Sequence, residues 1–280
     1  MATTSLRRKN RKIGLNILII FILLIYILPL YYVINNAFKE SRYISAQPFL
    51  LTPATFSLDN IVEAFQRMNY IQSFANSAIV LVMTMTMLVI VGSLAGFGIT
   101  YARNKTLNRV YLTYIALISL PLQIAMVPLI MLMRDLGLSN THLGMALIYN
   151  AIYMPFVVFL YTGFMRSIPR DLIEAAKIDG CNPFGIYLRI FMPLLPTITG
   201  MVIILRGVST WNDLFVPLIV VNRDAMYTLT MRLFIFAGSR MGQWDMVFGA
   251  TVLCIIPIIA LFLALQKTFV KGVMAGSIKG

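Results

Sequence analysis

Histidine, cysteine and acidic residues are scarce in this chain. Among 280 residues there are one histidine, two cysteines and 10 Asp or Glu. Zinc and haem centres need several His or Cys ligands, so we expect this chain to bind no metal or cofactor. Cys181 falls in a polar loop and Cys254 in an apolar run, which predicts two unpaired thiols. The single histidine, His142, falls between two apolar runs, where we expect a solvated side chain.

Charged residues are few, at 12%, whereas 59% of the residues are hydrophobic and the mean hydropathy is +0.84. Soluble domains have about 25% charged and about 45–50% apolar residues. The composition therefore excludes both a soluble globule and a disordered chain. It predicts an all-α, polytopic membrane protein.

Six apolar segments are long enough to cross a bilayer, which takes about 20 residues. Their cores lie near 13–34, 76–99, 110–133, 144–164, 197–221 and 247–266. The first follows a basic segment but exceeds the length of a signal-peptide core, so we expect a retained helix. Gly92 and Gly96 give the second span a face of small residues, which predicts close helix packing.

The net charge is +13. In a soluble protein this would suggest nucleic acid binding, but in membrane proteins Lys and Arg collect in cytoplasmic loops. With the N-terminus inside, the cytoplasmic segments hold 15 basic residues and the external segments hold seven. We therefore expect no nucleic acid partner and both termini in the cytoplasm. The predicted parts are a basic N-terminus (1–12), a transmembrane domain (13–267) and a cytoplasmic tail (268–280).

The loop 166–193, between the fourth and fifth spans, is long and polar for a connector. Pro169 suits a first helical turn, and Gly180 suits the left-handed position just past a helix end. Asn182 then suits the cap of a second helix that begins with Pro183. The pattern predicts a short helix, a glycine turn and another short helix.

The first of these helices has a face of small side chains. Leu172, Ala175, Ala176 and Asp179 have helical spacing and are expected on one side. Two alanines there would let a partner surface approach the backbone closely. An ordinary amphipathic helix on the membrane surface is an equally good interpretation from the residues alone.

In this loop, Glu174-Ala175-Ala176 is followed by Gly180 six residues after the Glu, and then by Ile190-Phe191-Met192-Pro193. This pattern resembles the EAA loop of bacterial ABC importer permeases, with Met192 in place of the usual Leu. Residues outside this loop resemble those of the carbohydrate type of permease: Asn76-Ser77, Trp211-Asn212-Asp213, Phe215, Pro217, Leu218 and the C-terminal segment 270–280.

This resemblance implies a multi-pass permease subunit in a bacterial inner membrane. It implies a second, distinct permease as partner, two ATPase subunits that bind ATP and Mg, and an extracytoplasmic solute-binding protein that delivers a sugar or oligosaccharide. Glu174, Ala175, Ala176 and Gly180 would belong to the helix that couples this chain to the ATPases. The chain has no G-x-x-x-x-G-K-[ST] phosphate loop, so we do not expect it to be an enzyme.

Four residues of the fifth segment are candidates for the substrate pathway: Arg206, Trp211, Asn212 and Asp213. Charges within a span are costly and usually face a cavity or a partner. Contact with a sugar and contact with the partner permease both remain open. Arg206 would also suit an anionic solute such as a polyol phosphate. A self-sufficient channel or secondary transporter is the alternative from a different class, although no internal repeat supports it.

Overall fold

The computed structural model of the chain describes residues 2–102, 104–239 and 244–277. Over these ranges the regular structure is helical, with one isolated β-bridge between Lys39 and Phe56. The α-helices are α1 Ala2–Ala37, α2 Ser41–Ile44, α3 Asp59–Arg67, α4 Tyr70–Ala102, α5 Lys105–Ala116, α6 Met126–Asp135, α7 His142–Met165, α8 Arg170–Ile178, α9 Pro183–Ile186, α10 Met192–Leu194, α11 Pro196–Asn212, α12 Phe215–Val220, α13 Leu229–Ser239 and α14 Trp244–Ser277.

Four of these helices contain stretches long and apolar enough to cross a membrane. The stretches are Gly14–Ala37, Tyr70–Ala102, His142–Met165 and Trp244–Ala264. They coincide with the first, second, fourth and sixth predicted spans. The all-α class is confirmed.

The third predicted span is not one helix, so the expectation of a continuous helix over 110–133 is wrong. Helix α5 ends at Ala116, two short 3₁₀ turns follow at 117–119 and 122–125, and α6 begins at Met126. Pro121 lies between the two turns. Proline disfavours the helical conformation of the residue before it and offers no backbone N–H, which accounts for the break.

The fifth predicted span, 197–221, is also divided. Helix α11 ends at Asn212, Asp213 is extended with ψ 137°, and α12 starts at Phe215. The helical segments Pro183–Leu194 and Pro196–Asn212 are bent by 70° and could count as a fifth span only if joined. The number six therefore stays a prediction.

Both predicted terminal segments continue the helices next to them. Helix α1 starts at Ala2, so the described part of the basic N-terminus is helical, and α14 runs to Ser277. Residues 278–280, the end of the predicted tail, lie outside the described residues.

The chain forms two compact units. The first lies within Met1–Tyr70 and Ile235–Ile255, and the second lies within Ile71–Phe234 and Ile256–Gly280. In the first unit, the Lys39 side chain is fully buried. Its ammonium donates to Asn36 Oδ1 at 3.2 Å and to the Gln47 carbonyl at 2.5 Å. Burial lowers the pKa of Lys39. The Asn60 amide donates to the Lys39 carbonyl at 2.7 Å, which fixes α3 to the end of α1.

In the second unit, α4 packs closely on α7 through its predicted small face. A Cβ atom added at Gly92 would lie 2.6 Å from Val157 Cγ1, and one at Gly96 would lie 2.8 Å from Tyr161 Cβ. The two helices share a buried core with the loop 166–193 and with α11. The expectation of close packing at these glycines is confirmed.

Candidate functional site

The first helix and turn of the loop 166–193 form as the sequence predicts, except that Pro169 occupies the N-cap position and not the first helical turn. Helix α8 starts after Pro169, and Gly180 has φ +76°. The Cys181 amide donates to the Ala176 carbonyl at 2.9 Å, and the Gly180 amide donates to the Lys177 carbonyl at 3.1 Å. These two bonds make a Schellman motif, which needs a left-handed residue at the glycine.

The second half of the loop is helical over nearly its whole length. Asn182 caps α9 by accepting from the Gly185 amide at 2.7 Å, with Pro183 as the first helical residue. A π-helical turn over 187–191 joins α9 to α10. π-Helical turns are rare in proteins as a whole, but those that occur are often found at functional sites.

The predicted small face of α8 is divided between core and surface. Ala176 is buried at 8% exposure and packs into the core with Ile173, three residues earlier. Leu172 is 47% exposed, and Ala175 and Asp179 are exposed as well. The expectation that all four residues share one accessible side is therefore wrong for Ala176, because α8 needs an apolar stripe to attach it to the core.

The exposed surface of α8 has small and apolar side chains at its centre and charged side chains around them. Ile178, the last helical residue, is 87% exposed, and Glu174 is exposed. Within the described part of the chain, Glu174 forms no ion pair with Arg170 or Lys177. Glu174 therefore keeps its carboxylate available to another molecule.

An aromatic cluster fixes this loop to the end of α4. Phe97 contacts Tyr101 at 5.3 Å, Tyr187 at 5.4 Å and Phe191 at 5.1 Å between ring centroids. The Tyr187 hydroxyl is 2.8 Å from Ser93 Oγ. The sequence reasoning missed this role of Phe97 and Tyr187. Its signal was the spacing of four between 97 and 101 and between 187 and 191, which puts each pair on one helix face.

Arg206 lies on α11 against two aromatic rings of α7. Its guanidinium carbon is 3.9 Å from the ring centroid of Phe156 and 4.9 Å from that of Tyr153. Nε of Arg206 is buried without a hydrogen-bond partner. Among the described residues, no ion pair joins Arg206 to Asp213. The cation is held by ring faces, a favourable contact that leaves Nε without a hydrogen bond to the described residues.

The other three pathway candidates differ in their surroundings. Asp213 Oδ2 accepts from the Tyr149 hydroxyl at 2.9 Å and from the Val216 amide at 2.8 Å. Trp211 is buried, and its ring packs edge-on against Phe74 at 5.7 Å. Asn212 is exposed, and its side chain makes no hydrogen bond to the described residues. The structure thus brings Asp213 and Trp211 into the fold and leaves Asn212 accessible.

Polar residues at the start of α4 hold the segment before α13. The Asn76 amide donates to the carbonyls of Ala225 at 2.9 Å and Tyr227 at 3.1 Å, and Ser77 Oγ accepts from the Leu229 amide at 2.8 Å. His142 Nε2 lies 2.9 Å from Asn76 Oδ1. The expectation of a solvated His142 is therefore wrong, since the side chain is half-buried and supports Asn76.

Arg232 makes a second set of contacts that hold the same segment. Its guanidinium contacts Asp224 Oδ1 at 2.5 Å, Asp224 Oδ2 at 3.0 Å and Ser73 Oγ at 3.3 Å. Hydrogen bonding from Arg232 lowers the pKa of Asp224. The pair ties the segment 224–232 to α4.

Comparisons with known proteins agree on one kind of protein. Residues 88–274 match the family described as "Binding-protein-dependent transport system inner membrane component". The chain is 34% identical to the melibiose/raffinose/stachyose import permease protein MelC of Bacillus subtilis, over 91% of this chain and 92% of that protein. It is 30% identical to the arabinooligosaccharides transport system permease protein AraQ of Halalkalibacterium halodurans, over 93% of this chain and 94% of that protein.

A solved structure has the same fold. It is the crystal structure of a bacterial ABC transporter involved in the import of the acidic polysaccharide alginate. The TM-score is 0.77 at 21% identity, and the match covers 94% of this chain and 98% of the chain it matches.

Proposed function

The chain belongs to the family of inner membrane components of binding-protein-dependent transport systems, and we propose that it is the permease subunit of an ATP-driven importer for a sugar or oligosaccharide. The observation that carries the sugar assignment is the 34% identity to a permease named for melibiose, raffinose and stachyose import, over nearly the full length of both chains. Similarity to a permease named for arabinooligosaccharides supports the same substrate class.

We propose that α8 couples this chain to an ATPase subunit. Leu172, Ala175 and Ile178 give it an exposed apolar surface with a small centre. Glu174, Asp179 and the turn at Gly180 border that surface. Ala176 and the aromatic cluster join α8 to α4 and α7, so a displacement of α8 would move the membrane helices with it.

In the proposed mechanism, ATP binding draws two ATPase subunits together beneath this chain and a second, distinct permease. The attached helices of both permeases then rock outward and accept solute from a solute-binding protein. Hydrolysis on the ATPase subunits, where ATP and Mg bind, resets the inward-facing state. Such coupling requires that ATP and solute each favour a particular state of the whole assembly.

The proposed orientation places both termini and the loop 166–193 in the cytoplasm. The excess of Lys and Arg in the segments on that side supports it. It puts α8 on the side where ATP is available. It puts the segment 224–232 on the side where a solute-binding protein arrives.

We propose Arg206, Trp211, Asn212 and Asp213 as the part of the chain nearest the solute pathway. Arg206 and Asn212 are the stronger candidates because the described residues leave their polar groups unused. Asp213 and Trp211 would shape the pathway through the break between α11 and α12.

An importer for an anionic solute, such as a polyol phosphate, is the second candidate. The observation that favours it is the Arg206 cation, which lies against two aromatic rings of α7 and has no carboxylate partner among the described residues. Uptake of labelled raffinose in competition with a neutral trisaccharide and with a sugar phosphate distinguishes the two. Competition by the neutral sugar alone supports the first candidate.

Intact-complex mass spectrometry after co-expression with neighbouring genes tests the assembly. We expect one copy of this chain with one second permease and two ATPase subunits. The chain alone, or a stable homo-oligomer without ATPase, would contradict the proposal and favour a self-sufficient channel or secondary transporter.

A further inference from the structure

A basic cavity of about 600 Å³ lies where α4, α5, α7 and α8 meet at the predicted cytoplasmic side. Its lining includes four cationic side chains, from Lys105, Arg109, Arg166 and Arg170. Among the described residues that line it, none is acidic, and none of the four cations forms an ion pair within the described chain. The cavity thus concentrates positive charge that the protein itself does not neutralise.

Arg166 is held in place by its neighbours. Its Nη2 donates to Asn108 Oδ1 at 2.8 Å, and its guanidinium carbon lies 5.1 Å from the centroid of the Tyr111 ring. Asn104 and Asn108, on the cavity wall, add amide groups that can donate hydrogen bonds. Guanidinium and amide donors on one wall suit the oxygens of a phosphate group.

An apolar groove of about 690 Å³ adjoins this cavity, and Ile99 lines both. Along α4 the groove is lined by Val91, Ala95, Gly98 and Ala102, and along α5 by Leu107, Val110, Tyr111 and Tyr114. Both sets have the spacing of one helix face. The eleven residue-to-residue steps from 91 to 102 correspond to about 16 Å of helix, a length that accommodates much of an acyl chain.

We propose that this cavity and groove bind one anionic phospholipid of the cytoplasmic leaflet. The phosphate would lie among Lys105, Arg109, Arg166 and Arg170, and an acyl chain would lie in the groove. The charge of the cavity and the apolar lining of the groove together fit an amphiphile with a negative head, and basic pockets between membrane helices bind such headgroups. The orientation of the chain rests on the proposed function, but the fit of an amphiphile does not.

The site also reaches the loop 166–193. Ile173 and Arg170 of α8 line the cavity, and Pro183 lines the groove. A bound lipid would therefore contact both halves of the proposed coupling loop. Its binding would depend on the position of that loop.

Lipid binding to the purified complex of this chain with its partners tests the charged half of the site. Phosphatidylglycerol is titrated and followed by native mass spectrometry. The double variant Lys105→Gln, Arg109→Gln should bind about 25-fold more weakly, because each basic side chain near an anionic headgroup contributes about fivefold. The charge-matched control Lys12→Gln, Arg223→Gln should bind as the wild type does, since neither residue lines the cavity, the groove or the loop 166–193. Equal affinity in wild type and double variant, or equal affinity for phosphatidylcholine and phosphatidylglycerol, would overturn the proposal.

The groove is tested by Gly98→Leu. A Cβ atom at Gly98 meets no atom within 4 Å, so the larger side chain can enter the groove without a clash. Phosphatidylglycerol should bind about fourfold more weakly for each methylene displaced. The matched control is Gly163→Leu, since Gly163 has similar open space on α7 and does not line the groove.

Glycerol phosphate identifies which part of the lipid is recognised. It should bind weakly to the wild type, lose affinity in the double variant, and be unaffected by Gly98→Leu. If it bound as tightly as phosphatidylglycerol, or if Gly98→Leu left phosphatidylglycerol binding unchanged, the site would hold a free phosphate and the lipid proposal would be wrong.

Discussion

Asp213 is a charged residue in an apolar segment, and its hydrogen bonds explain its presence there. Its carboxylate accepts from the Tyr149 hydroxyl and from the Val216 amide at the start of α12. The Tyr149 side chain is 1% exposed, so its hydroxyl is bonded to the Asp213 carboxylate away from bulk solvent. One residue thus connects α7 to the break between α11 and α12.

Replacement of Asp213 by Ala should destabilise the protein by about 2 kcal/mol, since hydrogen bonds to charged groups contribute about 1.5–3 kcal/mol and a buried hydroxyl would lose its partner. Thermal unfolding of the purified complex measures the effect. Asn212→Ala, at the exposed neighbouring position, is the control and should change stability by less than about 0.5 kcal/mol. Equal melting temperatures for the two variants would show that Asp213 has no such role.

Gly180 should tolerate no side chain without cost. At φ +76° a Cβ atom strains the backbone even though no atom crowds it, and left-handed conformations cost other residues about 1–2 kcal/mol. We expect Gly180→Ala to lower the stability of the loop by about 1 kcal/mol. The helical Gly163→Ala should have the opposite sign, because alanine is the better helix former. Hydrogen exchange of residues 170–185 measures the effect of Gly180→Ala, and exchange of residues 158–168 measures the effect of Gly163→Ala. Unchanged exchange in Gly180→Ala, or faster exchange in Gly163→Ala, would contradict the prediction.

Single residues with local backbone signals were predictable from the sequence. Gly180, Asn182 and Pro183 act on their own turn, and the structure has them where the pattern expects them. His142 and Ala176 were not predictable in this way. Their surroundings depend on Asn76 and on the core under α8, which lie far from them in sequence.

At the scale of elements, α8 has one side in the core and one side exposed. Ala175→Trp should leave the fold intact, because the side chain points to solvent, and should reduce ATPase association at least tenfold by adding bulk to the proposed contact. Co-purification of the ATPase with this chain measures it.

Ala176→Trp serves as the comparison on the buried side of α8. Overpacking a core typically costs about 1–3 kcal/mol, so this variant should lower the melting temperature, whereas Ala175→Trp should not. Normal ATPase association in Ala175→Trp would exclude this face of α8 as the contact.

The segment 224–232 should depend on the charge of Asp224. Because its pKa is lowered in the folded state, the carboxylate stabilises the segment above the unfolded pKa of about 3.9. This stabilisation is lost as the pH falls through the lower, folded pKa. The effect is small because the Asp224 side chain is 64% exposed and its charge is screened by solvent.

Asp224→Asn should therefore loosen the segment at pH 7, as hydrogen exchange of residues 224–232 would show. Asp135→Asn is a matched control, since Asp135 is also 64% exposed but pairs with an exposed arginine instead of a buried one. Its neighbourhood should exchange as in the wild type. Unchanged exchange in Asp224→Asn would show that Arg232 alone holds the segment.

Long apolar helices were the most predictable elements. The first, second, fourth and sixth predicted spans are continuous helices. Each contains at most one proline, and the helix continues past it. The third and fifth predicted spans are divided at Pro121 and at Asp213. Hydropathy measures apolar length and carries no information on where a backbone turns.

At the scale of the whole molecule, the sequence pattern and the comparisons point to the same family, the inner membrane components of binding-protein-dependent transport systems. The motif in the loop 166–193 suggested the family, and the match over residues 88–274 establishes it. The solute and the assembly depend on surfaces that other chains complete, so a single sequence specifies them least. The central claim is that this chain moves solute only when partner ATPases drive it.

Uptake into proteoliposomes of the labelled sugar that the co-expressed solute-binding protein binds tests that claim most directly. The liposomes contain the complete complex or this chain with its partner permease alone, with solute-binding protein outside and ATP inside. The account predicts uptake only by the complete complex, only with ATP, and its loss in Ala175→Trp. Uptake without the ATPase subunits, or equal uptake with and without ATP, would contradict it.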